Sequence, residues 1–146
     1  MFTIQISGGH GMGKTTLARR LSLLLEADYV PLDPYAFTRV DPKKFDRETQ
    51  IAFVKWQLEQ QLRPRRHSCV FDRGPEDGCA YGILMGMLDR KWCVELLRRR
   101  YRPIKIVLMD KVHVERDHPV DPLEVTRVIA ELLEELEIPY IRWSWL

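Results

Sequence analysis

The sequence predicts an α/β protein, a three-layer α/β/α sandwich around a mostly parallel sheet of about five strands. Alternation is the first observation behind this: short apolar runs of strand length are separated by segments whose apolar residues recur at helical spacing. The second is that one pattern, free of internal repeats and low-complexity tracts, runs over residues 1–146, as expected of a single domain. Third, apolar residues make up 45% and charged residues 30% of the 146, a globular balance in a chain long enough to bury about two-thirds of its unfolded surface.

From the N-terminus, "FTIQIS" at 2–7 is β-rich and runs straight into glycines. "KTTLARRLSLLLEA" then places Leu17, Leu21, Leu24 and Leu25 on one expected helix face. "ADYVPL" is a short strand, and the Pro-punctuated "DPYAFTRVDP" after it is expected to be loop. From about Phe45 to Leu62 apolar residues recur at helical spacing until Pro64 ends the pattern. "HSCVFD" at 67–72 reads as a buried strand ending in a carboxylate. "EDGCAYGILMGML" and "KWCVELLRRRY" supply helical segments, the first interrupted by three glycines. "IKIVLMD" is a fourth strand, "DPLEVTRVIAELLEELE" a periodic helix with Asp121 as its N-cap, and "PYIRW" a closing strand. In such a sheet, ligands are expected at the carboxyl ends of the strands.

Composition narrows the function. No apolar run approaches the roughly 18 residues of a membrane span, and "MFTIQISGGHG" lacks the basic region and cleavage site of a signal peptide. A soluble, cytoplasmic protein without a membrane partner is expected. Cys69, Cys79 and Cys93 show no C-x-x-C pair and no zinc spacing, and read as reduced, mostly buried thiols. The net charge of +2 is intermixed and demands no nucleic acid. Two local clusters, "RPRRH" at 63–67 and "RRRYR" at 98–102, keep a nucleic-acid partner open beside their plainer readings as a solvated turn and a helix end. Oligomeric state stays open, a homodimer included.

"GGHGMGKTT" at 8–16 carries the chemistry. Gly8, Gly13, Lys14 and Thr15 match G-x-x-x-x-G-K-[ST], with a strand before and a helix after. Gly8, Gly11 and Gly13 let backbone N–H groups, those of Lys14, Thr15 and Thr16 among them, turn inward around phosphates at a positive helix terminus. Lys14 neutralises β and γ oxygens, and the Thr15 hydroxyl ligates Mg²⁺. ATP and Mg²⁺ are therefore the expected cofactors. His10 and Met12 sit where the motif leaves the side chain free. Asp72, closing "CVFD", is the carboxylate expected near the metal, and Arg73 beside it points into the same strand-end crevice.

With the loop, "LDP" at 32–34, the glutamines of "RETQIAFVKWQLEQQL" and the "DRG" step, the chain resembles the deoxynucleoside kinase and thymidylate kinase branch of P-loop kinases over about residues 2–110. It also resembles the small P-loop relatives that include ribosylnicotinamide kinase domains. The resemblance implies Asp33 as general base toward a sugar hydroxyl, Gln50 or Gln57 as reader of the base edge, Arg73 near the accepting hydroxyl and Asp72 near Mg²⁺. This chain has Asp where many relatives have Glu before the proline, and Gly where many have Ser after the arginine. Tyr35 and Phe37 are expected to wall an acceptor pocket, and Trp56 to be core. Kinases of this group close an arginine-bearing lid after the fourth strand; here "KVHVERDHPVDP" is a minimal one, with Arg116 as charge-stabilising candidate. His113 and His118 in that segment read as solvent-facing.

Three functions remain: a kinase transferring the γ-phosphate of ATP to a small-molecule nucleoside or nucleotide, a polynucleotide 5′-hydroxyl kinase, and a P-loop ATPase with a regulatory role. The first is favoured by Asp33, Arg73 and the helix glutamines. No N-K-x-D step occurs, which disfavours GTP.

Overall fold

The computed structural model describes residues 1–145. Its sheet is wholly parallel and has five strands, β1 (Thr3–Gly8), β2 (Asp28–Pro31), β3 (Cys69–Asp72), β4 (Lys105–Met109) and β5 (Tyr140–Trp143), in the order β2-β3-β1-β4-β5. The central strand β1 sets the register, Ile6 pairing with Asp72 on one side and Val107 on the other. Parallel registration brings the segments after β1, β2, β3 and β4 to one edge, where the functional residues lie.

Side chains along β1 alternate between two layers, as a pleated strand requires. Ile4 and Ile6 pack with Val70 against α1 (Lys14–Leu24). Gln5 and Ser7 face the opposite way, toward α4 (Pro75–Leu84), whose Glu76 and Asp77 they meet. On that second side α3 (Arg47–Leu62), α4, α5 (Arg90–Leu97) and α6 (Pro122–Glu135) bury the larger core with Ile106 and Leu108 of β4.

Three local expectations change. Leu17 is buried and Leu21 half-buried, whereas Leu24 and Leu25 are exposed; the inward face is completed by Ala18 and Ser22. The reason is that α1 stops at Leu24 and the chain turns back through Glu26 at φ 52°, carrying the last leucines off the face. The segment after β2 holds a short helix α2 (Pro34–Phe37) and a 3-10 turn at Pro42–Lys44 rather than loop alone. α3 begins after Phe45, because the Asp46 carboxylate caps it by accepting the N–H of Thr49 at 2.8 Å. Asp121 caps α6 as expected, accepting from Leu123 N–H at 3.0 Å.

Glycines inside α4 serve close packing. A Cβ on Gly78 would collide with the Gln57 side-chain oxygen, so the glycine lets α3 and α4 approach.

Candidate functional site

The loop after β1 wraps a buried lysine. Lys14 Nζ donates to the Gly9 carbonyl at 2.5 Å. Burial pulls its ammonium down to about 7, Arg73 adds to that fall, and Asp77 and Asp72 oppose it. Gly11, at φ 74°, has no room for a side chain, since a Cβ would strike the Val114 carbonyl oxygen. The segment that carries Val114 is thereby docked on the loop, with His113 and Val114 N–H both donating to the Gly11 carbonyl at 2.8 and 3.0 Å.

Asp72 ends β3 beside the start of α1. Its Oδ2 accepts the Thr15 hydroxyl at 2.7 Å and the Tyr29 hydroxyl at 2.6 Å. Burial, then the bond to Asp72, pushes the Tyr29 phenol up to about 12, so it stays a donor. Asp72 Oδ1 is buried and has no partner among the described residues. A hydroxyl and a carboxylate with a spare oxygen are the few hard ligands Mg²⁺ takes from a protein, so these residues fit that ion.

Asp77, which sequence reading missed, ties this side of the site together. Its carboxylate accepts from Ser7 Oγ at 2.7 Å, Gly8 N–H at 3.1 Å and Gly74 N–H at 2.9 Å. Burial raises it to about 6 despite the pull of Lys14. The signal available was "GPED" after a strand, an acid three residues into a helix with proline at its first turn. Gly8 itself is turned to Asp77 and is not on the wall of the cleft described next.

One cleft of about 780 Å³ runs from Gly11, Gly13, Lys14, Thr15 and Thr16 to the segment after β2. Asp33 and Tyr35 line its far end, Tyr35 being 72% exposed. Arg73, at φ 80°, and Arg116 line it from the loops after β3 and β4. Gln50 and Gln57 form part of its wall although they are only 4% and 0% exposed, because α3 presents them to α4 and β2. Gln50 Nε2 donates to the Gly78 carbonyl and Gln57 Nε2 to that of Leu32, each at 2.8 Å. The Gln57 Oε1 atom, packed against Gly78, has no hydrogen-bond partner among the described residues.

Phe37 goes elsewhere. Its ring packs with those of Phe45, Phe53 and Trp56 at 5.4–6.5 Å, and Phe45 and Phe53, not Phe37, reach the cleft. The ring of Phe37, half-buried on a one-turn helix over α3, is turned toward these three aromatics rather than into the cleft.

His118 also departs from expectation. It is half-buried, its ring 4.4 Å from that of His10, and both line the cleft with Tyr81. Burial, then the charges of His118, Lys14, Arg73 and Arg116, hold His10 down to about 4, so the imidazole is neutral. His113 is exposed.

The two basic clusters meet at the opposite edge of the sheet, before β3 and β4, where Arg102 Nη1 donates to the Arg63 carbonyl at 3.2 Å. Arg100 is an exception to their exposure, buried in an ion pair with Glu76 that also engages Gln5 and Gln61.

With this loop, sheet order and cleft in place, comparison with known proteins decides the family. A model described as AAA domain matches residues 3–145. The chain belongs to the AAA domain family. No curated protein matches it significantly. Among solved structures, this AAA domain chain is similar to the NadR protein in complex with NR (15% identity, TM-score 0.73, 97% of this chain and 43% of that one). It is similar too to NadR in complex with NAD and AMP-PNP (16%, 0.68, 99% and 45%). Deoxyadenosine kinase from M. mycoides with bound dATP shares the fold at 16% identity and TM-score 0.55, over 98% of this chain and 91% of that one. The chain thus spans under half the length of the NadR chains it matches. These likenesses show that it shares its fold with NadR and with deoxyadenosine kinase. Among the described residues no helix is long and apolar enough to cross a membrane.

Proposed function

We propose that this protein is an ATP-dependent phosphotransferase that moves the γ-phosphoryl group to a hydroxyl or phosphate of a nucleoside or nucleotide. The observation that carries this reading is the continuity of one cleft from Lys14 and Thr15 to Asp33. A hydrolase needs only the first half of that cleft; a transferase needs both.

Phosphoryl transfer is largely positioning and charge neutralisation. Lys14 and the N–H groups of the loop bind the triphosphate. Thr15 and Asp72 hold Mg²⁺, which when bound neutralises charge on the phosphate oxygens. Arg73 and Arg116, which reach the cleft from two loops, balance charge on the group in transit. Asp33 orients the acceptor hydroxyl and takes its proton. Gln50 and Gln57 with Phe45 and Phe53 form the acceptor wall. Tyr35 closes its rim. The AMP-PNP, NR and dATP held by structures of the same fold support this class of ligand. A polynucleotide acceptor gains no support from the basic clusters, which lie at the opposite strand ends from the cleft.

The test is incubation with Mg²⁺ and γ-labelled ATP against a panel of nucleosides, nucleotides and 5′-hydroxyl oligonucleotides. Label is expected on a nucleoside or nucleotide, and should vanish in Lys14→Ala. Label released only as free phosphate would overturn the transferase reading in favour of a regulatory ATPase.

A further inference from the structure

His10 stands third in the phosphate loop, a position whose side chain the motif leaves free. Here the side chain is fixed. Tyr81 Oη accepts the His10 backbone N–H at 3.1 Å and lies 2.8 Å from His10 Nδ1. Among the described residues Nδ1 is the one acceptor in reach of the phenolic proton, so Tyr81 donates to Nδ1. The burial that raises Tyr81 to about 12 keeps that proton on the phenol. An imidazole that accepts at Nδ1 and stays neutral carries its own proton on Nε2.

The same reasoning fixes the ring stacked on it. His118 Nδ1 accepts the Val120 backbone N–H at 3.1 Å, which leaves the His118 proton on Nε2 as well. The His118 ring, 4.4 Å away and tilted by 30°, covers a face of His10. His10 is thus clasped by α4 through Tyr81 and by the segment after β4 through His118.

Its place in the cleft says what this donor meets. His10 follows Gly9, whose carbonyl holds Lys14 Nζ, and Tyr81 lies one helical turn beyond Gly78 on the acceptor wall. Charges of Lys14, Arg73 and Arg116 all reach the ring. Lys14, Arg73 and Arg116 line the same cleft as this neutral donor, surroundings that favour an anion beside it.

We propose that His10 contacts the γ-phosphoryl group directly, its Nε2–H donating to a phosphoryl oxygen, with Tyr81 and His118 as positioning residues. This rests on the phosphotransferase reading above. A neutral donor adds a hydrogen bond without a fourth positive charge among Lys14, Arg73 and Arg116, and it cannot serve as base, because Nδ1 is occupied.

Calorimetric titration with Mg²⁺-AMP-PNP and with Mg²⁺-ADP tests it, since the two differ in the γ group. His10→Ala is expected to weaken AMP-PNP about tenfold, the size of one hydrogen bond to a charged acceptor, and ADP by less than about twofold. Equal weakening of both, or of neither, overturns the contact. Wild-type protein that binds neither nucleotide overturns the phosphotransferase reading and this inference together. Nitrogen-15 spectra of the wild-type imidazoles give a readout independent of binding and of any folding defect in a variant. A protonated Nε2 and bare Nδ1 on His10 are expected, mixing with the other tautomer in Tyr81→Phe; a protonated Nδ1 in the wild type overturns the proposal.

Discussion

Asp77 Oδ2 accepts the backbone N–H of Gly8 at 3.1 Å across 69 residues of sequence, joining the first turn of α4 to the base of the phosphate loop. The same carboxylate takes the Ser7 hydroxyl and the Gly74 N–H, so three donors from two segments converge on one side chain. Removing an acceptor strands buried donors, at about 1–3 kcal/mol each where no water can enter. Asp77→Ala is expected to lose about 3 kcal/mol in urea unfolding, and Asp77→Asn less, since its amide keeps one oxygen. An unchanged midpoint for Asp77→Ala would show that the clasp does not hold the loop.

Lys14 gives a proton-linkage prediction. Burial and Arg73 pull it down to about 7, so at pH 8 the free protein holds it mostly neutral. Phosphate oxygens beside Nζ favour the charged form, and binding must then take up a proton. The sign follows: uptake of up to about one proton per nucleotide at pH 8, falling toward zero near pH 6, where Lys14 is already charged. Calorimetry of AMP-PNP binding in buffers of different ionisation enthalpy measures it. Lys14→Met should abolish the buffer dependence, cut transfer by about 10³-fold or more, and leave the fold no less stable at pH 7, because it removes a buried cation placed near Arg73. A buffer dependence that survives in Lys14→Met would assign the proton to another group.

Much of this site could be read along the chain because its parts are local. The glycines, Lys14 and Thr15 sit at fixed spacing from the end of β1 to the start of α1, while Asp72 ends β3 and Arg73 and Asp33 come just after strands whose apolar runs mark their ends. What could not be read is what the fold brings together from afar. The buried Gln5, Glu76 and Arg100 are separated by up to 95 residues, and Arg100 sits inside "RRRYR", where spacing gives it no distinction from its exposed neighbours. His10 and His118 meet only because the segment after β4 lies on the loop through the Gly11 carbonyl. Phe37 was misplaced for a related reason: local pattern says aromatic, but Phe45, Phe53 and Trp56 decide which way it turns.

The Arg100–Glu76 pair predicts non-additivity. Both side chains are almost wholly buried, and opposition from Arg100 keeps the Glu76 carboxyl low against the upward push of burial. Either single change leaves an uncompensated buried charge, at about 3–5 kcal/mol. Arg100→Met with Glu76→Gln removes both charges, and is expected to cost less than the two single changes added together. Thermal or urea unfolding of the four proteins measures the coupling; additive losses would mean that the pair acts as two independent contacts.

Asp33 has two readings that one substitution separates. It is the N-cap residue of α2, before Pro34, and it also lines the cleft opposite Lys14. Its side chain makes no cap hydrogen bond, so the turn draws little from the carboxylate. Asp33→Asn keeps the shape and removes the base. If the carboxylate takes the acceptor proton, kcat should fall about 10²–10⁴-fold while AMP-PNP affinity and unfolding midpoint stay near wild type. Parallel loss of transfer, nucleotide affinity and stability would instead make Asp33 a turn residue, and the base would have to be sought elsewhere along the cleft.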